Sequence, residues 1–220
     1  MSQKKLPSES HDDCRIIPLF PTTASHSGNV KNVEYINRKR EKYYIKAAPT
    51  KSGKIQYCAI KNISKISPND LLQEIPAGYE FYENPREAKV VLRKIPLYKT
   101  TDAEVEIVKL AMKTHANVSD YIVEKAADHI IIYTSNCSIN DFDNDNLPIW
   151  RIAFQLQLIQ RYDDVLRFEK VKNTWHAQRF CYRSIYYGWI TIEENKDLQY
   201  LAEKYCYHIG KDSLYEFCKY

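Results

Sequence analysis

The chain has 220 residues, 44% of them hydrophobic and 27% charged, with a formal net charge of +4. That apolar share is enough to offset the entropy of ordering a core, which argues against a largely disordered protein, and the length fits one large domain or two small ones. The longest apolar segments, around Ile130–Tyr133 and Ile152–Ile159, fall far short of the roughly 20 residues a membrane helix needs, so no membrane partner is expected.

Charge is unevenly distributed. Residues 1–99 hold eighteen Lys and Arg against ten Asp and Glu, a net +8, whereas residues 100–149 hold three against nine, a net −6. The contrast fits either a basic face for an anionic partner or charges spread over solvated faces. Tyr is abundant, at 18, and suits half-buried sheet faces as well as binding surfaces. The six cysteines, Cys14, Cys58, Cys137, Cys181, Cys206 and Cys218, show no C-x-x-C and no short Cys/His spacing. Neither a zinc centre nor a redox pair is indicated, and no cofactor is expected. Met1–Asp13 is polar and lacks a signal-peptide pattern, which gives the expectation of a cytoplasmic chain with reduced thiols.

In chain order, residues 1–30 are predicted to be a mobile polar leader. Their one apolar strip, Ile16–Phe20, is broken by Pro18 and followed by Pro21, and fits an extended segment able to dock on a protein. Residues 31–220 then form the globular region, with a possible division into halves 31–135 and 148–220 joined by a polar loop, 136–147. Tyr43–Ala47 and Ile55–Ile60 flank a Pro/Ser/Gly turn, predicting a hairpin with the basic tip Lys51–Lys54. A short helix is predicted over Pro68–Gln73 with Ser67 as its cap, and a second hairpin from Tyr79–Tyr82 and Lys89–Ile95 around Asn84–Pro85. Thr101 and Glu104 have capping-box spacing, and Val105, Val108, Ala111 and Met112 share one face of a helix running to about His115. A third hairpin pairs Tyr121–Val123 with Ile130–Tyr133. From Trp150 to Leu158 apolar and polar residues alternate, favouring a strand, although Trp150, Phe154 and Leu158 also fall four apart as on a helix. Val165–Val171 and Trp175–Arg183 make a further hairpin, Trp189–Ile192 an edge strand, and Lys196–Tyr207 a helix stopped at Gly210. The predicted fold class is α+β, with antiparallel-rich sheets built from successive hairpins and about three packed helices.

Three constellations bear on function. Asp141, Asp143 and Asp145 alternate like calcium ligands, but the sixth and twelfth places hold Asn146 and Ile152 instead of Gly and Glu, so a solvated acidic loop outweighs a metal site. On a strand, His176, Gln178, Phe180 and Tyr182 share one face; Arg179, Cys181 and Arg183 share the other, so His176 cannot activate the Cys181 thiol. Arg179 and Arg183 either present two guanidinium forks to an anion or pair with Glu169 on a neighbouring strand. Finally, Lys51 and Lys54 beside Tyr43, Tyr44 and Tyr57 suit phosphate contacts with base stacking.

The segments Tyr43–Gly53, Ile75–Glu80, Gln178–Arg183 and Trp189 to Lys211 resemble parts of a family of small bacterial proteins of unknown activity. The resemblance implies a self-contained bacterial protein and carries over no functional residue. The leading expectation is a non-enzymatic binding or regulatory protein whose basic, Tyr-rich half contacts an anionic partner, nucleic acid first. The alternatives are a hydrolase or nuclease using His176 or the Asp141–Asp145 cluster with Arg179 and Arg183, and a protein–protein interaction subunit.

Overall fold

The computed structural model describes residues 32–138, 148–182 and 188–217. Outside the described residues lie the expected leader, residues 1–30, the carboxylates Asp141, Asp143 and Asp145, and Arg183.

Among the described residues, three antiparallel sheets and three α-helices give the α+β architecture expected from the hairpins. β1 (Glu34–Ile36), β2 (Lys42–Pro49) and β3 (Ile55–Ile60) form a sheet in that order. β4 (Tyr79–Glu83) pairs with β5 (Val90–Lys94). The largest sheet has the order β10-β9-β8-β7-β6, from β6 (Tyr121–Lys125), β7 (His129–Ser135), β8 (Tyr162–Val171), β9 (Thr174–Cys181) and β10 (Gly188–Asn195). It takes strands from both sides of residues 136–147, so the two expected halves share one sheet.

Alternation gives the large sheet two chemically distinct faces. Ile130, Ile132, Leu166, Phe168, Trp175, Ala177 and Ile192 point inward and are covered by α1 (Asp102–His115) and α3 (Leu198–Cys206), which pack on each other. α1 buries Val105, Val108, Ala111 and Met112, the face its spacing predicts. α3 is capped by Asp197, whose carboxylate accepts from the Tyr200 N–H at 3.1 Å. At the chain's return, Gly210 has φ +82°, and a Cβ there would come 2.5 Å from the Asn117 carbonyl oxygen, so only glycine fits.

Two predicted elements are corrected. Pro68–Gln73 is only a three-residue 3-10 turn, Pro68–Asp70, with no cap bond from the Ser67 side chain. Leu71 instead bridges to Lys46 and the Leu72 N–H donates to the Ile45 carbonyl, so the edge of β2 claims the backbone that a longer helix would need. Trp150–Leu158 is not a strand: it lies within helix α2 (Ile149–Ile159). Ile152 and Leu156, four apart, are the residues α2 buries.

The capping box on α1 is complete. Thr101 Oγ1 accepts from the Glu104 N–H at 3.3 Å, and Glu104 accepts from the Thr101 N–H at 2.7 Å. Thr101→Ala is therefore expected to cost about 1 kcal/mol and to lower the melting midpoint by roughly 2–4 °C. Thr101→Ser, which keeps the oxygen, should melt with the parent; equal midpoints for all three would show that the cap carries no stability.

Candidate anion-binding surface

Between residues 32 and 75 the chain carries nine Lys and Arg against four Asp and Glu, and most of these lie on the β1–β3 sheet and its turns. One face of that sheet is closed by the β4–β5 hairpin. Tyr35 meets Phe81 and Tyr57 meets Tyr79, each pair at 5.1 Å between ring centroids. Tyr43 lies on this inner face and is buried. Tyr44 takes the opposite face with Lys42 and Lys46, so the three tyrosines expected to stack together are divided between two sides. The alternation of β2 alone places Tyr43 and Tyr44 apart; the partner that closes the inner face was not visible locally.

Lys51 and Lys54 stand where the sequence puts them, at the exposed β2–β3 tip. Thr50 Oγ1 accepts from the Lys54 N–H at 3.1 Å, and Gly53 (φ +78°) donates its N–H to the Thr50 carbonyl at 2.9 Å. The tip is thus a closed turn, and among the described residues neither lysine has an ion-pair partner.

A second basic group assembles at the other end of the same ladder. Asn37, buried in the β1–β2 turn, accepts from the Glu41 N–H at 2.8 Å and donates to the Ala88 carbonyl at 2.8 Å, clamping this turn to the one between β4 and β5. Arg40 (φ 63°) and Ala88 (φ 61°), one in each turn, both hold left-handed backbone, a strain that persists only where surrounding bonds fix it. The clamp brings Lys39, Lys61 and Lys89 around a cleft of roughly 420 Å³, with Tyr43 and Val90 among its lining residues. Glu41 is already engaged: it accepts Lys61 Nζ at 2.6 Å, Tyr43 Oη at 3.1 Å and Asn37 Nδ2 at 3.0 Å. The Lys61 hydrogen bond holds its carboxyl below the usual range, and Glu41 in turn raises the Lys61 ammonium. Among the described residues Lys39 and Lys89 have no partner, leaving two uncompensated ammonium groups against one unpaired carboxylate, Glu87. None of these three lysines stood out in the sequence. Only their position in three separate turns and strand ends unites them.

A cleft of roughly 550 Å³ beside the β8–β9 turn is electrostatically more closed. Its Lys170 binds Glu104 at 2.6 Å and its Lys99 lies 3.8 Å from Asp128, so only Lys172 is without an ion pair. The outer face of the large sheet is also self-satisfied. Arg167 donates to Gln178 at 2.5 Å, and Gln178 donates to Glu169 and Thr191 at 3.0 Å each.

Arg179 is not available to a ligand. It is buried on the inner face, with Nε donating to the Phe217 carbonyl at 2.7 Å, and Glu169 is met by Arg167 and Gln178 instead. His176 takes the outer face, 3.7 Å from Glu194, so His176 and Arg179 do not converge. Cys181 is a buried free thiol, and burial pushes the Cys206 thiol well above its ordinary range. Among the described residues no group of His, Cys, Asp and Glu is arranged to hold a metal ion, and no helix is long and apolar enough to cross a membrane. No family model, curated protein or solved structure matches the chain.

Proposed function

We propose that the chain is a non-enzymatic binding protein, set in the bacterial cytoplasm, whose β1–β3 sheet contacts an anionic polymer, nucleic acid being the first candidate. One observation supports the reading above the others. Unpaired ammonium groups sit at both ends of one hairpin, Lys51 and Lys54 at the tip and Lys39 and Lys89 at the base. The ladder between them runs from the Tyr44–Ile60 pair to the Pro49–Ile55 pair. Six pairs in a strand span about 20 Å, the reach of several consecutive phosphates rather than of one small ion. Half-buried Tyr44, lying between the two ends, adds one stacking surface.

Fluorescence anisotropy with single-stranded DNA, single-stranded RNA and duplex oligonucleotides tests it. Binding should weaken from about 25 to about 200 mM salt with a log–log slope near −2 to −4, corresponding to roughly three to five phosphate contacts. The pair Lys39→Ala with Lys89→Ala should flatten that slope by about 1.5, while Lys172→Ala leaves it unchanged. No affinity tighter than about 1 mM at the lowest salt, or equal slopes for the base variant and its parent, would end the proposal.

A further inference from the structure

α2 differs from the other two helices in what holds it. α1 and α3 are side-chain capped and packed on each other; α2 has Pro148 before it with no side-chain cap, no acid in its first turn and no base in its last. Eleven residues is below the length at which an uncapped helix is stable by itself in water, so burial must supply the rest. Within the chain that burial comes from Ile152 and Leu156. On the opposite side of the helix Trp150, Phe154 and Leu158 are 71%, 55% and 42% exposed, a second i, i+4 stripe left largely open among the described residues. Residues two apart on a helix are about 200° apart, so the two interleaved stripes face opposite ways.

We infer that this second stripe is a self-association surface, covered by the same stripe of a second copy of the chain in an antiparallel pair. Three features favour a second copy over an unrelated partner. The stripe is self-complementary: with Phe154 at the two-fold axis, bulky Trp150 falls opposite smaller Leu158 of the second copy, and i, i+4 ridges interdigitate as in the commonest helix packing. The charges fit the antiparallel sense, because the only charged side chain of α2, Arg151, would lie beside the second copy's last turn. That turn lacks a base of its own, and a cation is favoured at a helix C-terminus. The area suits a weak, reversible dimer. The three residues offer on the order of 400 Å² per copy and about 800 Å² for the pair, at the low end of protein interfaces, so association should depend on concentration.

Sedimentation equilibrium of the full chain at about 5 to about 200 µM tests the inference, with the mass expected to rise from 25.9 kDa toward twice that value. Phe154→Glu should raise the dissociation constant at least tenfold, and Arg151→Glu severalfold. The control is Leu97→Glu, the same kind of change at a residue 93% exposed in the segment between β5 and α1, and it should dimerise as the parent does. Since Phe154 and Arg151 are exposed, far-ultraviolet circular dichroism should show all three variants folded. A chain that keeps the monomer mass throughout the range, or a Phe154→Glu variant that dimerises as well as its parent, overturns the inference.

Discussion

Arg86→Ala is expected to destabilise the protein by about 3 kcal/mol and to lower the melting midpoint by roughly 6–12 °C, far more than its surface position suggests. The Asp164 side chain is only 6% exposed, while that of Arg86 is 50% exposed. The irregularity in the β7–β8 register puts Asp164 opposite Tyr133 on the outer face of the large sheet, where its carboxylate receives both Nε, at 2.7 Å, and a terminal nitrogen of Arg86. Arg86 belongs to the β4–β5 turn and also lies over the Phe180 ring at 5.9 Å, so one side chain joins the hairpin to the sheet. Removing it strands a buried carboxylate without a counter-ion. Removing the carboxylate instead leaves a guanidinium that can turn to water. Asp164→Asn should therefore cost clearly less than Arg86→Ala, and adding Asp164→Asn to Arg86→Ala should recover part of the loss. Thermal melts of the three variants measure this. A midpoint for Arg86→Ala within about 2 °C of the parent, or the reverse order of costs, would show that the pair is solvated and incidental.

What could be read from the sequence depended on whether the deciding contacts were local. α1 was legible because its cap and its buried face lie within twelve residues, from Thr101 to Met112, and both signals agree. The hairpin β8–β9 was legible because Lys172, in left-handed backbone at φ 55°, closes a short turn between two alternating runs. α2 was misread for a physical reason: two i, i+4 stripes offset by two residues produce apolar residues at every second position, the same pattern as a half-buried strand. The ambiguity lies in the helix having two apolar faces, and a second apolar face on a surface helix is what points to a partner. β1 carried no readable signal, being three residues long and held by its pairing with β2. The basic cleft was illegible for the same kind of reason. Lys39, Lys61 and Lys89 meet only because Asn37 ties two turns that are 51 residues apart in sequence. The faces of β9, by contrast, follow from alternation alone, so the separation of His176 from Arg179 and Cys181 was readable at once, whereas the Phe217 carbonyl that takes Arg179 was not.

Alkaline pH is expected to unfold this protein earlier than its ordinary carboxylates and lysines would suggest, because its tyrosines are buried against acids. Tyr133 donates to Glu124 at 2.7 Å and is buried, and burial followed by the Glu124 charge pushes its phenol far above the usual value. Tyr162 is likewise buried, beneath the Arg38 guanidinium at 5.1 Å, and burial pushes it up to about 12. A phenol whose pKa is higher folded than unfolded binds its proton more tightly in the native state. Its contribution is therefore whole below about pH 10, where the unfolded chain also keeps the proton, and is lost as pH rises from there toward the folded value. Each such group removes at most about 1.4 kcal/mol per pH unit, so Tyr133 and Tyr162 together should cost about 3 kcal/mol by pH 11.5, allowing for partial solvent access. For Tyr162 the window closes near pH 12; for Tyr133 it continues beyond. The melting midpoint should be level from about pH 7 to 9.5 and then fall by roughly 6–12 °C by pH 11.5. Tyrosinate absorbance in the same samples should lag behind free tyrosine until unfolding begins. The variant carrying Tyr133→Phe and Tyr162→Phe keeps the rings and deletes two of the raised phenols, while burial still holds Tyr205 above its ordinary value, so its midpoint should fall measurably less over the same interval. If the parent stays level to pH 11.5, or the doubly substituted chain falls as steeply, the buried phenols do not govern alkaline stability.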